Sequence, residues 1–104
     1  MHNEAAEIIR QMFGGRGIRI ADILLFGSRA RGDAGVESDW DFLVLTENDI
    51  SFADRKAVVT EVQRKLAALR IPNDIVIRSV RQFDAMKGLP GTVSAHALRE
   101  GVHV

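Results

Sequence analysis

Two aspartates one residue apart, Asp39 and Asp41, stand at the head of an apolar run in "DWDFLVL". In a strand, residues two apart point to the same side. Their carboxylates therefore share a face, with Cα atoms roughly 6–7 Å apart by strand rise. Trp40 points the other way, and Phe42 is expected back on the acid side, deeper along the strand. Two carboxylates this close repel when both are ionised, unless a cation lies between them. Oxygen-only donors suit a hard ion such as Mg2+. A third acid, Asp74, opens a later apolar run, "DIVIRS". If the two runs are neighbouring strands, three carboxylates could surround one or two Mg2+ ions. Such ions stabilise the attacking and leaving oxygens of phosphoryl transfer. Each acid also has a plainer reading. A strand can begin with an acid at its solvated end, and Asp74 suits a strand-end turn.

Upstream, "LLFGSRARG" (residues 24–32) breaks a strand at Gly27-Ser28. Gly27 permits an unusual backbone angle and the close approach of another group. Ser28 offers a hydroxyl and a backbone N–H at the start of a helical turn, where N–H groups favour phosphate oxygens. Arg29 and Arg31 could add charge-assisted hydrogen bonds to the same phosphates. The stretch lacks both the Gly-Lys-Ser/Thr ending of a P-loop and a G-x-G-x-x-G turn. Alone, it reads rather as an ordinary strand-to-helix turn with solvated arginines.

Helices and strands alternate around these residues. Asn3 suits the cap of a first helix with Ile8, Ile9, Met12 and Phe13 on its apolar face, ended by Gly14 and Gly15. Ile18 to Phe26 predicts a strand in its second half, and Asp39 to Leu45 a second. Ser51 and Asp54 have capping-box spacing and predict a helix to about Arg70, with Val58, Val59, Val62, Leu66 and Leu69 on one face. Asp74 to Ser79 predicts a third strand. Ser79 and Gln82 form a second capping box, for a short helix to about Lys87. Pro90 suits an early position of a last helix that Gly101 stops near Glu100, and "VHV" suits a tail strand. The fold class is α/β (α+β), a small mixed sheet of three to four strands flanked by helices, in one domain spanning residues 1–104.

Composition narrows the function. Of 104 residues, 46% are hydrophobic and 27% charged, as in a globular domain. Fourteen basic residues balance fourteen acidic ones, which argues against general nucleic-acid binding. The absence of cysteine excludes thiolate metal sites, disulfides and thiol nucleophiles. The longest apolar stretch is too short for a membrane span, and the N-terminus lacks a signal-peptide core. A cytoplasmic location is expected. His2, His96 and His103 are scattered and read as surface residues.

Together the pieces are far more specific than each alone. Gly-Ser, ten residues, then Asp-x-Asp resembles the signature of nucleotidyltransferases related to DNA polymerase beta. More closely, "GSRARGDAGVESDWDFLVL" is similar to the minimal nucleotidyltransferase (MNT) family, through Gly27, Ser28, Ala30, Arg31 and Gly32, then Ser38, Asp39 and Asp41, then Asp74. "HALREGVHV" also looks like that family's C-terminus. Trp40 departs from the aliphatic residue usual between the two acids, which bears on packing more than on chemistry. The resemblance implies that Asp39, Asp41 and Asp74 are catalytic and hold Mg2+. It implies that Gly27, Ser28, Arg29 and Arg31 bind the phosphates of a nucleoside triphosphate, with ATP the expected donor. MNT proteins resemble antitoxins that adenylylate a tyrosine of a HEPN-domain RNase toxin. The chain has no tyrosine, so a tyrosine acceptor must belong to another molecule. Two other classes stay open: a protein that neutralises its toxin by binding alone, and a transferase acting on a small molecule such as an aminoglycoside. A homo-oligomer could build an acceptor site for the latter.

Overall fold

The computed structural model describes residues 2–104, with side chains from residue 3 onward, so the side chain of His2 lies outside the described residues. Four strands form one sheet in the order β3-β2-β1-β4. They are β1 (Ile20–Phe26), β2 (Trp40–Thr46), β3 (Asn73–Ser79) and β4 (Val102–His103). Strand β1 is antiparallel to β2 and β4, whereas β2 and β3 are parallel. The helices are α1 (His2–Gly15), α2 (Ser28–Arg31), α3 (Phe52–Ala68), α4 (Val80–Met86) and α5 (Val93–Glu100). The expected mixed sheet with flanking helices is the observed architecture. Strand β2 begins one residue later than the spacing predicts, so Asp39 sits just ahead of it.

Strand alternation divides the core between the two faces of the sheet. On one face Ile23, Leu25, Phe42, Val44, Ile75 and Ile77 pack with Ile9 and Phe13 of α1 and Val58, Val62 and Leu66 of α3. On the other, Leu24, Phe26, Leu43 and Leu45 pack with Phe83 of α4 and Ala97 of α5. Trp40 joins the first cluster. Phe42 does too, which corrects its expected place beside the acids. Even-numbered residues of β2 face α1 and α3, so the odd-numbered acids belong to the thinner layer under α4 and α5.

Local signals set most of the ends. Ser51 Oγ accepts from the Asp54 N–H at the start of α3. Ser79 and Gln82 make the full reciprocal box at α4. Three expectations are corrected. Asn3 lies inside the first turn of α1 and is not its cap. Pro90 stays outside α5, where Thr92 Oγ1 accepts from the Ala95 N–H as the true cap. Leu69, expected on the buried face of α3, is half exposed because α3 ends just before it. The chain leaves α3 through Arg70, Ile71 and Pro72, and the Trp40 N–H donates to the Pro72 carbonyl at 2.9 Å. That bond fixes the entry of β2 beside the entry of β3. No described helix is long and apolar enough to cross a membrane.

Candidate active site

The sequence-marked residues meet at one end of the sheet, where β1 finishes and β2 and β3 begin. Phe26 pairs with Asp41 across the antiparallel ladder, and Asp41 pairs with Asp74 across the parallel one. Neighbouring strands run about 4.8 Å apart, so Asp41 and Asp74 are direct neighbours on one face. Asp39, two residues before Asp41, shares that parity. Asp39 and Asp74 are exposed, whereas Asp41 is partly buried. Burial first, then the negative charges of Asp74 and Asp39, hold the Asp41 carboxyl above the usual aspartate range. The Arg31 guanidinium pulls the other way, and Glu100 adds a further push upward.

These acids meet the chemical requirement for a hard cation. The donors are all oxygens, two of them are in register, and the local field disfavours the charged form of Asp41 until positive charge arrives. Among the described residues, no three His, Cys, Asp or Glu side chains stand gathered as a set that could hold a metal ion as they are. Like charges gain nothing by converging without a counter-ion.

Gly27 is required twice over. Its φ of 76° and ψ of −159° lie where side chains are strained, and a Cβ there would run into Asp41 Oδ2. The turn is thereby pressed directly onto the acid. Helix α2 follows as one turn, with the Ala30 and Arg31 N–H groups donating to the Gly27 carbonyl, each at 3.1 Å. Gly32, at φ 83°, closes it by donating to the Ser28 carbonyl. Ser28 is thus set at the head of the turn beside the acids.

The two arginines part company. Arg31 Nη1 donates to both carboxylate oxygens of Glu100, at 3.1 Å each, and Arg31 Nε to Asp33 Oδ2 at 3.2 Å. Asp33 and Glu100 hold the guanidinium above its already high pKa. Arg31 therefore stays charged at the edge of the site. Arg29 turns towards the loop between α2 and β2. Its guanidinium donates to the carbonyls of Val36 and Ser38, both at 3.0 Å, and lies 4.5 Å from the centre of the Trp40 ring. These bonds account for Arg29 as a brace for the loop that delivers Asp39, and they leave its expected phosphate contact without geometric support. Trp40, the departure from the aliphatic pattern, is the platform for that brace. Ser38 also steadies the loop, its Oγ accepting from the Gly35 N–H at 2.9 Å.

Glu100 is the residue that the sequence pattern did not mark. Beyond Arg31, its Oε1 accepts from the Gly27 N–H at 3.2 Å. Arg31 and the Gly27 N–H lower its pKa against the opposing effect of burial. It lies 73 residues from Gly27 in the chain, and no local spacing links the two.

A strand-end glycine turn is thus set on an acid, with a second acid in register, on a mixed sheet. The chain matches the nucleotidyltransferase domain family over residues 2–87. It belongs to that family and is a nucleotidyltransferase. No curated protein matches it. Among solved structures, a mutant of the toxin-antitoxin MntA-HpeT is similar at 18% identity and a TM-score of 0.62, covering 99% of this chain and 71% of that one. A toxin-antitoxin solved with AMP-PNP is similar at 20% identity and a TM-score of 0.57, covering 93% and 69% respectively. A second MntA-HpeT mutant is similar at 19% identity and a TM-score of 0.57, covering 99% and 69%. The fold is shared across all three.

Proposed function

We propose that this protein is the antitoxin of a toxin-antitoxin pair, transferring AMP from ATP to a tyrosine of a HEPN-type RNase toxin and so silencing it. The observation that carries the reading is the contact of the Gly27 turn with Asp41, itself in register with Asp74. It supports a reading in which a phosphate held by the turn would lie close to a carboxylate pair. The shared fold with toxin-antitoxin proteins, one of them solved with AMP-PNP, supports the same reading.

In this mechanism Asp39, Asp41 and Asp74 would hold Mg2+, which when bound neutralises charge on the triphosphate. The Gly27-Ser28 turn and Arg31 orient the β and γ phosphates, leaving the α-phosphorus towards the acids. A carboxylate at the open end, assigned to Asp74, accepts the proton of the acceptor hydroxyl. The acceptor oxygen bonds to the α-phosphorus as the bond to the bridging oxygen breaks, and pyrophosphate departs. Positioning and fixed charge supply most of the acceleration. The acceptor comes from another molecule, because the chain contains no tyrosine.

The test is to incubate the protein with labelled ATP, Mg2+ and the product of the adjacent gene, and to follow that product's intact mass. A gain of one or more AMP units with loss of RNase activity is expected. Neutralisation of the toxin with no mass gain from any triphosphate would overturn transfer in favour of silencing by binding alone.

A further inference from the structure

We propose that the Glu100 carboxylate is a built-in competitor for the triphosphate, filling the anion-binding half of the site until phosphate oxygens displace it. The inference rests on the nucleotide site proposed above and adds a residue from the far end of the chain. Two of the groups assigned to phosphate binding, the Gly27 N–H and the Arg31 guanidinium, both donate to this one carboxylate. A carboxylate accepting from a backbone N–H and an arginine has the charge and lone pairs that a phosphate oxygen brings to the same donors. The Gly27 N–H carries a single hydrogen, so Glu100 and a phosphate cannot both hold it well.

Its placement is built into the fold. Glu100 is the last residue of α5, and the chain turns at once through Gly101 into β4. A Cβ on Gly101 would collide with the Ala97 carbonyl oxygen, so the helix end is closely seated. The Glu100 side chain is only 16% exposed. Displacement would free two donors, the Gly27 N–H and the Arg31 guanidinium, in one movement.

A plainer role, in which Glu100 merely steadies Arg31 for the phosphates, predicts the opposite sign on removal. Glu100→Gln keeps the size and one acceptor oxygen while deleting the charge, and Glu100→Ala deletes the competitor altogether. Calorimetric titration of both variants and the wild type with AMP-PNP plus Mg2+, and separately with inorganic tripolyphosphate, separates the two. Tighter binding by about three- to tenfold is expected in Glu100→Gln, and at least as much in Glu100→Ala. Unchanged or weaker binding in both variants, with the wild type still binding, would overturn the competitor role. If the variants gain affinity for tripolyphosphate while no form binds AMP-PNP, the competition stands and the nucleotide reading fails. Failure of every form to bind either probe overturns both.

Discussion

Asp41 is the residue on which the site's electrostatics converge. It is partly buried, it faces Asp74 in register, and the Gly27 backbone presses against it. Its carboxyl is held above the ordinary value of 3.8, by burial first and by Asp74 and Asp39 next. The sign of the linkage follows. Between the unfolded and the raised folded pKa, the folded state binds more protons, so stability falls as pH rises through that window. Above it, the metal-free protein carries the full penalty of an ionised Asp41. Asp41→Asn should therefore melt later than the wild type at pH 7 without divalent ions. The gain should be a few tenths to about 1 kcal/mol, since the group is only partly buried and solvent screens it. The difference should vanish near pH 3, where both side chains are neutral. Urea denaturation at the two pH values measures it, and a wild type at least as stable as the variant at pH 7 contradicts the assignment. The acids were legible because strand alternation ties residue number to face. Glu100 was not: the stop of α5 beside it was readable from Gly101, but its partners lie 69 and 73 residues away in the chain and no spacing links them.

At the scale of elements, two helices stop by the same device with different residues. In α1 the Gly17 N–H donates to the Gly14 carbonyl and the Ile18 N–H to that of Phe13. In α3 the Arg70 N–H donates to the Ala67 carbonyl and the Ile71 N–H to that of Leu66. Each is a Schellman ending, whose pivot residue adopts the left-handed region. The pivots are Gly17 at φ 71° and Arg70 at φ 59°. Gly14 and Gly15 do close α1, whose last residue is Gly15, but the residue that takes positive φ comes two places later. In α3 the expected end near Arg70 lies just beyond the last helical residue, Ala68, and an arginine at the pivot carries no signal. Capping boxes were readable because donor and acceptor sit three residues apart. Arg70 has a strained backbone that glycine would relieve, against the greater freedom glycine gains when unfolded. Arg70→Gly is expected to raise stability by up to about 1 kcal/mol, seen as a higher urea midpoint with an unchanged slope. A lower midpoint would mean that the arginine side chain contributes more to the turn than its backbone strain costs.

Across the whole molecule, the large apolar cluster and the site occupy different regions of the sheet. The cluster under α1 and α3 includes Ile9, Phe13, Phe42, Val62 and Leu66, each fully buried. The acids sit at the strand ends on the opposite face, under the thinner layer of α4 and α5. Stability and chemistry are thus separable, and charge can be removed from the site without opening the main core. That separation yields a global test of the ion site. An ion that binds only the folded state raises its stability by about 2.7 kcal/mol at roughly one hundred times Kd. In a domain of this size each kcal/mol corresponds to about 4–8 °C in Tm. Mg2+ should therefore raise the Tm of the wild type measurably. The double variant carrying Asp39→Asn and Asp41→Asn should fold cooperatively, lose nucleotidyl transfer and show no Mg2+-dependent shift. An equal shift in the double variant would place the ion elsewhere on the surface. A double variant that fails to fold would show that the acids, despite their place at the strand ends, help to hold β2 against β3.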